Sequence, residues 1–140
     1  MAKILIVDDS DKIVNDLDHF FREQGFEILT AGDGEQGLDI VRNNPDIDLV
    51  ITDMAMPKMD GLTMSEKIRN ELQNSKVRIL ALTTTSDRHV KERRHAAGIT
   101  VWGVKPFHGE SAIDVIHHLL KMPEHSASRK TKSVTPPKQG

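Results

Sequence analysis

The chain reads as an α/β protein, a doubly wound five-stranded parallel sheet with five flanking helices. Three observations predict this. Five short apolar runs rich in β-branched residues recur along the 140 residues. The stretches between and after them carry apolar residues at helical spacing. The two clearest runs each end at aspartate, as buried parallel strands do when they run out into a polar rim. Strands that alternate with helices in this way make a parallel sheet covered on both sides.

The elements follow in order. Lys3–Val7 (KILIV) is the first strand. The stretch after Ser10 puts Ile13, Leu17, Phe20 and Phe21 on one face, with Ser10 a good N-cap and Gly25 a good stop. Phe26–Thr30 (FEILT) is the second strand, and Gly34–Arg42 the second helix. Asp48–Thr52 (DLVIT) is the third strand, followed by a helix over Leu62–Leu72. Val77–Leu82 (VRILAL) and Thr100–Val104 (TVWGV) complete the sheet, with helices over Asp87–Ala97 and Glu110–Met122. The helix over Asp87–Ala97 carries Arg88, Lys91, Arg93 and Arg94 and little apolar content, so it reads as a solvated face or a docking surface for an acidic partner.

Length and composition bound the rest. One domain of ordinary size is expected over residues 1–122, with 37% hydrophobic and 29% charged residues. Residues 123–140 form a Pro-, Ser- and Lys-rich segment, expected to be a disordered tail or linker. From Met122 onward Arg129, Lys130, Lys132 and Lys138 face one acid, Glu124, so this end carries +3 and the body -5. No apolar run approaches the roughly 20 residues of a membrane span, and a cytoplasmic setting is expected. The chain has no cysteine, which excludes disulfides, thiol catalysis and Cys-bound zinc, and leaves oxygen and imidazole as metal ligands. A hard cation such as Mg²⁺ suits oxygen.

The chemistry-bearing residues stand where the strands end. Asp8 and Asp9 follow KILIV, and Asp53 follows DLVIT. In a doubly wound sheet these ends share one rim, beside the point where strand order reverses. Carboxylates about 4 Å apart repel by about 4 kcal/mol at an effective dielectric near 20, so something must offset their convergence, and a divalent cation with oxygen ligands does so. Thr83 follows VRILAL, and Lys105 then Pro106 follow TVWGV. A hydroxyl, an ammonium and a cation together can hold a phosphoryl group, which makes Asp53 the natural nucleophile.

The strings ILIVDDS, ITDMAMPKMDG, ALTT and GVKPF, in this order and spacing, resemble the receiver domains of two-component response regulators, including the stand-alone chemotaxis type. The likeness covers about Lys3 to Lys121. It implies a flavodoxin-like fold of receiver topology and a phosphorylation-activated switch in a phosphorelay. Asp53 matches the phosphoacceptor, Asp9 and Asp53 match the direct Mg²⁺ ligands together with the Ala55 carbonyl, and Asp8 matches the acid that holds the metal through water. Thr83 and Lys105 match the hydroxyl and the lysine that engage the phosphoryl group, and Lys105–Pro106 matches the family's cis peptide bond. Trp102 stands where the switch aromatic is usually Tyr or Phe; so large a ring is expected to swing inward incompletely when Asp53 is charged. Ala55 and Thr85 hold positions where the family varies.

The resemblance further implies a histidine kinase or a histidine phosphotransfer protein as donor. It implies a downstream protein target read by the face of the helix over Asp87–Ala97, the fifth strand and the last helix, with no membrane and no nucleic-acid partner expected. Such a chain is a phosphoacceptor regulator rather than an enzyme, catalysing only its own phosphorylation and dephosphorylation.

Other signals point elsewhere less well. Gly32, Gly34 and Gly37 spell G-x-G-x-x-G, but after the second strand rather than the first, and with Asp33 and Glu35 set to repel a pyrophosphate. A haloacid-dehalogenase-like phosphatase needs D-x-D-x-T, and Asp53 is followed by Met54, Ala55, Met56 and Pro57. His117 and His118 are adjacent on a helix and do not face one another, and His89 and His95 read as surface residues. Met54, Met56 and Met59 read as loop packing rather than a soft-metal site.

Overall fold

The computed structural model describes residues 2–83, 98–107 and 109–122. The helix expected over Asp87–Ala97, Thr85, His89 and His95, and the tail 123–140 lie outside the described residues. Five strands, β1 (Lys3–Val7), β2 (Glu27–Ala31), β3 (Leu49–Asp53), β4 (Arg78–Thr83) and β5 (Val101–Val104), form one parallel sheet in the order β2-β1-β3-β4-β5. Helices α1 (Asp11–Glu23), α2 (Gly34–Asn43), α3 (Gly61–Asn70) and α4 (Gly109–Lys121) complete the described elements.

The sheet has an apolar cluster on each face because alternate residues of buried strands point opposite ways. Leu5, Val7, Val50, Ile79 and Ala81 join Leu38 and Val41 of α2 and Leu62, Met64 and Ile68 of α3. Ile4, Ile6, Leu49, Ile51, Leu80 and Leu82 join Leu17 and Phe21 of α1 and Ile116 and Leu119 of α4. Met54 lies in the first cluster with Met56 and Met59 packed against it, so the methionines are packing residues as expected. Among the described residues no helix is long and apolar enough to cross a membrane.

Helix ends follow local chemistry. The Ser10 hydroxyl accepts from the Ile13 N–H, and Asp33 and Asp60 cap α2 and α3 through Gln36 and Thr63. Gly25, at φ 95, takes the left-handed conformation that ends α1. Strand bounds differ by a residue from the apolar runs. Phe26, Asp48, Val77 and Thr100 lie just ahead of their strands, while Asp53 and Thr83 are the last residues of β3 and β4. The backbone stays in the ladder after the side chains turn polar, and Asp53 pairs with Leu82, and Thr83 with Val104.

Half-buried Arg69 joins α3 to the lead-in of β5. Its guanidinium donates to the Gly98 carbonyl at 2.8 and 3.1 Å and to the Asn74 carbonyl at 3.0 Å, and burial pushes its pKa down to about 10.

Candidate functional site

The order β2-β1-β3 places the switch point between β1 and β3. Asp8 follows β1, Asp53 ends β3, and Asp9 is beside Asp8; one carboxylate oxygen from each lies within 4.8 Å of the others. Asp8 is buried, Asp9 exposed and Asp53 between. Asp8 is fixed at both ends: its N–H donates to the Ala31 carbonyl at 3.1 Å, and its Oδ1 accepts from the Ser10 N–H at 2.9 Å.

Lys105 follows β5 and crosses to the acids. Its Nζ lies 2.7 Å from Asp53 Oδ1 and 3.6 Å from Asp8 Oδ2. Its backbone N–H donates to the Thr83 carbonyl at 2.9 Å, so the lysine and the threonine are coupled through the main chain. The Lys105–Pro106 peptide is cis. Phe107 packs on the face carrying Phe21, with ring centroids 6.4 Å apart, and ties this segment to α1.

Three carboxylates thus face one ammonium among the described residues, leaving two negative charges uncompensated. A divalent cation would balance them. Oxygen donors alone, drawn from three carboxylates, are the set that a hard cation such as Mg²⁺ takes. Ala55 is exposed, in the loop that follows β3.

Burial holds the Asp8 carboxyl above its ordinary pKa; the Asp53 and Asp9 charges add to this, and the Ser10 N–H and Lys105 oppose it. Burial also pulls the Lys105 ammonium down, but its hydrogen bond to Asp53 and the charges of Asp53 and Asp8 outweigh burial and leave it raised. The Asp8 shift has a sign in stability. A carboxyl whose folded pKa exceeds its unfolded value costs nothing below the unfolded value, and destabilises the folded chain as pH rises through the folded one. Asp8→Asn should therefore stabilise the metal-free chain at neutral pH, by roughly 1 kcal/mol or about 3 to 5 °C. The gain should vanish below the ordinary carboxylate range, which melting curves at stepped pH will check.

Trp102 is the second residue of β5. It is 9% exposed, in the cluster shared with α2 and α3, and its register partner on the same face is Ala81. The small alanine leaves room for the indole, and the ring is already largely buried without a phosphoryl group on Asp53.

Several supporting residues were not anticipated. The Thr52 hydroxyl, fully buried, donates to the Asp53 carbonyl at 2.8 Å. The Gly61 N–H donates to the Met54 carbonyl at 2.9 Å, and the buried Ser65 hydroxyl to the Gly61 carbonyl at 2.7 Å. The Asp60-Gly61 pair at the start of α3 was the signal available for this bed beneath Asp53.

Comparison with known proteins agrees with this geometry. The response regulator receiver domain model matches residues 4–117. A probable chemotaxis protein CheY of Rhizobium etli is 37% identical over 123 residues, covering 85% of this chain and 95% of its own length. The crystal structure of chemotaxis protein CheY4 of Vibrio cholerae superposes with a TM-score of 0.78 at 34% identity, covering 85% of this chain and 98% of that one. A CheX-CheY-BeF3-Mg complex from Borrelia burgdorferi gives a TM-score of 0.71 at 31% identity, with 85% and 87% covered. The chain spans about half or less of the length of the transcriptional regulators it also matches.

Proposed function

The chain belongs to the response regulator receiver domain family of phosphorylation-activated switches, and from that premise we propose that Asp53 is its phosphoacceptor, served by Mg²⁺ and by Lys105 and Thr83. The observation that carries this reading is the convergence of Asp8, Asp9 and Asp53 with Lys105 Nζ 2.7 Å from Asp53. Bound Mg²⁺ would neutralise charge on the acids and on the phosphoryl oxygens. Asp9, Asp53 and the Ala55 carbonyl would hold it directly, and Asp8 through water.

The donor is a phosphohistidine of a histidine kinase or phosphotransfer protein, the partners of receiver domains generally. An Asp53 carboxylate oxygen forms the new O–P bond as the donor's P–N bond breaks, and the leaving imidazole takes a proton from solvent. Lys105, released from Asp53, pairs with the phosphoryl oxygens, and the Thr83 hydroxyl donates to them. The added charge, about -1.5 to -2 by analogy with other phosphorylated side chains, biases the chain toward one of two arrangements. A downstream protein that prefers one arrangement reads the state, and the face of β5, α4 and the segment between β4 and β5 is the surface proposed for it.

Trp102 provides the test. Beryllofluoride with Mg²⁺ should change the intensity or wavelength of its emission, with no change in Asp53→Asn. Identical spectra with and without the mimic would mean that switching bypasses this face.

A further inference from the structure

The glycines of the G-x-G-x-x-G string do not cradle phosphate, and one of them touches the loop that follows the phosphoacceptor. Gly37 is a packing residue, since a Cβ there would lie 2.7 Å from Met64 Sδ and 3.1 Å from Val7 Cγ2. Gly34 differs. Its N–H, one of the donors left open at the start of α2, donates to the Met59 carbonyl at 3.1 Å, and an added Cβ would lie 2.4 Å from that oxygen and 2.9 Å from the Met59 carbonyl carbon.

The neighbouring contacts belong to the same loop. Asp33 is buried, caps α2 through the Gln36 N–H at 2.9 Å, and turns its other oxygen to Lys58 Nζ at 3.9 Å. Lys58 holds φ 68, a left-handed conformation that a non-glycine residue keeps only when its surroundings impose it. At the loop's start the Gly61 N–H clasps the Met54 carbonyl at 2.9 Å. Residues 55–58 are thus an arch clamped at Met54 by α3 and at Met59 by α2, and Ala55, whose carbonyl is the proposed metal ligand, is its first residue.

We propose that Gly34, with Asp33, is a positioning residue for the divalent-cation site, setting the place of the Ala55 carbonyl by clamping the far end of its loop. The inference rests on the Mg²⁺ reading above. It assigns to the start of α2 a role in metal affinity, although α2 contributes no ligand. Groups that orient metal ligands without touching the ion commonly govern affinity by about 10- to 100-fold.

The test is Mg²⁺ titration of the full chain by calorimetry, with unfolding midpoints recorded without metal. Gly34→Ala should weaken Mg²⁺ binding about tenfold. Gly37→Ala, which disturbs the same helix toward the core, should lower the midpoint and leave Mg²⁺ affinity unchanged. Asp9→Ala supplies the non-binding reference. A folded Gly34→Ala chain with wild-type affinity overturns the proposal, as does equal weakening by Gly37→Ala. Should Gly34→Ala fail to fold, the wild type decides: its Gly34 amide should shift and exchange more slowly with hydrogen when Mg²⁺ is added, and an amide indifferent to Mg²⁺ overturns the proposal. A wild type that binds no Mg²⁺ overturns the metal reading itself, and the positioning role with it.

Discussion

Gly61→Ala should destabilise the chain by about 3 kcal/mol, near the upper end of ordinary overpacking costs. A Cβ at this position would lie 2.2 Å from the Asp53 carbonyl oxygen, 3.1 Å from Thr52 Oγ1 and 3.3 Å from the Asp53 carbonyl carbon. Neither side can yield cheaply. The Asp53 main chain is held in β3 between β1 and β4, and Gly61 is held through the Met54 carbonyl on one side and the Ser65 hydroxyl on the other. Gly61 does not have a positive φ, so the expected penalty is steric rather than conformational. In denaturant the midpoint should fall with an unchanged slope, and in a thermal scan by roughly 10 °C. Because the collision is with the carbonyl of the proposed phosphoacceptor, loading of Asp53 should also fall at temperatures where the variant is folded. Wild-type stability would mean that the bed beneath Asp53 is softer than its contacts indicate.

Much of the frame was legible because each strand is a short apolar run and each acid follows one. KILIV became β1 at the expected bounds, and Asp8, Asp9, Asp53 and Lys105 converge as their places at strand ends imply. What could not be read was how far the ladder persists. Asp53 and Thr83 look like loop residues by polarity, yet they end β3 and β4, because backbone pairing is indifferent to whether a side chain has turned polar. Contacts between distant backbones left no periodic trace either. Gly34 against Met59 and Gly61 against Asp53 are single glycines whose reason lies 25 and 8 residues away in the chain. Size is the one property of Trp102 that the sequence displays. Its fit depends on Ala81 beside it, a pairing set by the β4–β5 register, which the sequence did not reveal.

One carboxylate, Asp53, is proposed to take the phosphoryl group, and removing it should abolish loading completely. Asp53 is the acid that Lys105 approaches most closely, 2.7 Å against 3.6 Å for Asp8, and it ends the strand next to the one that delivers Thr83. Asp8 is buried, with one oxygen committed to the Ser10 N–H, which leaves it the less accessible to a donor. Asparagine at 53 keeps the size of the side chain and removes the attacking oxygen anion, so the variant should fold and fail to load. The most direct measurement is intact-mass analysis after incubation with a small acyl-phosphate donor. The wild type with Mg²⁺ should gain one phosphoryl group, and neither Asp53→Asn nor the wild type in excess chelator should gain any. A phosphoryl group that persists on Asp53→Asn would contradict the account and move the chemistry to another residue.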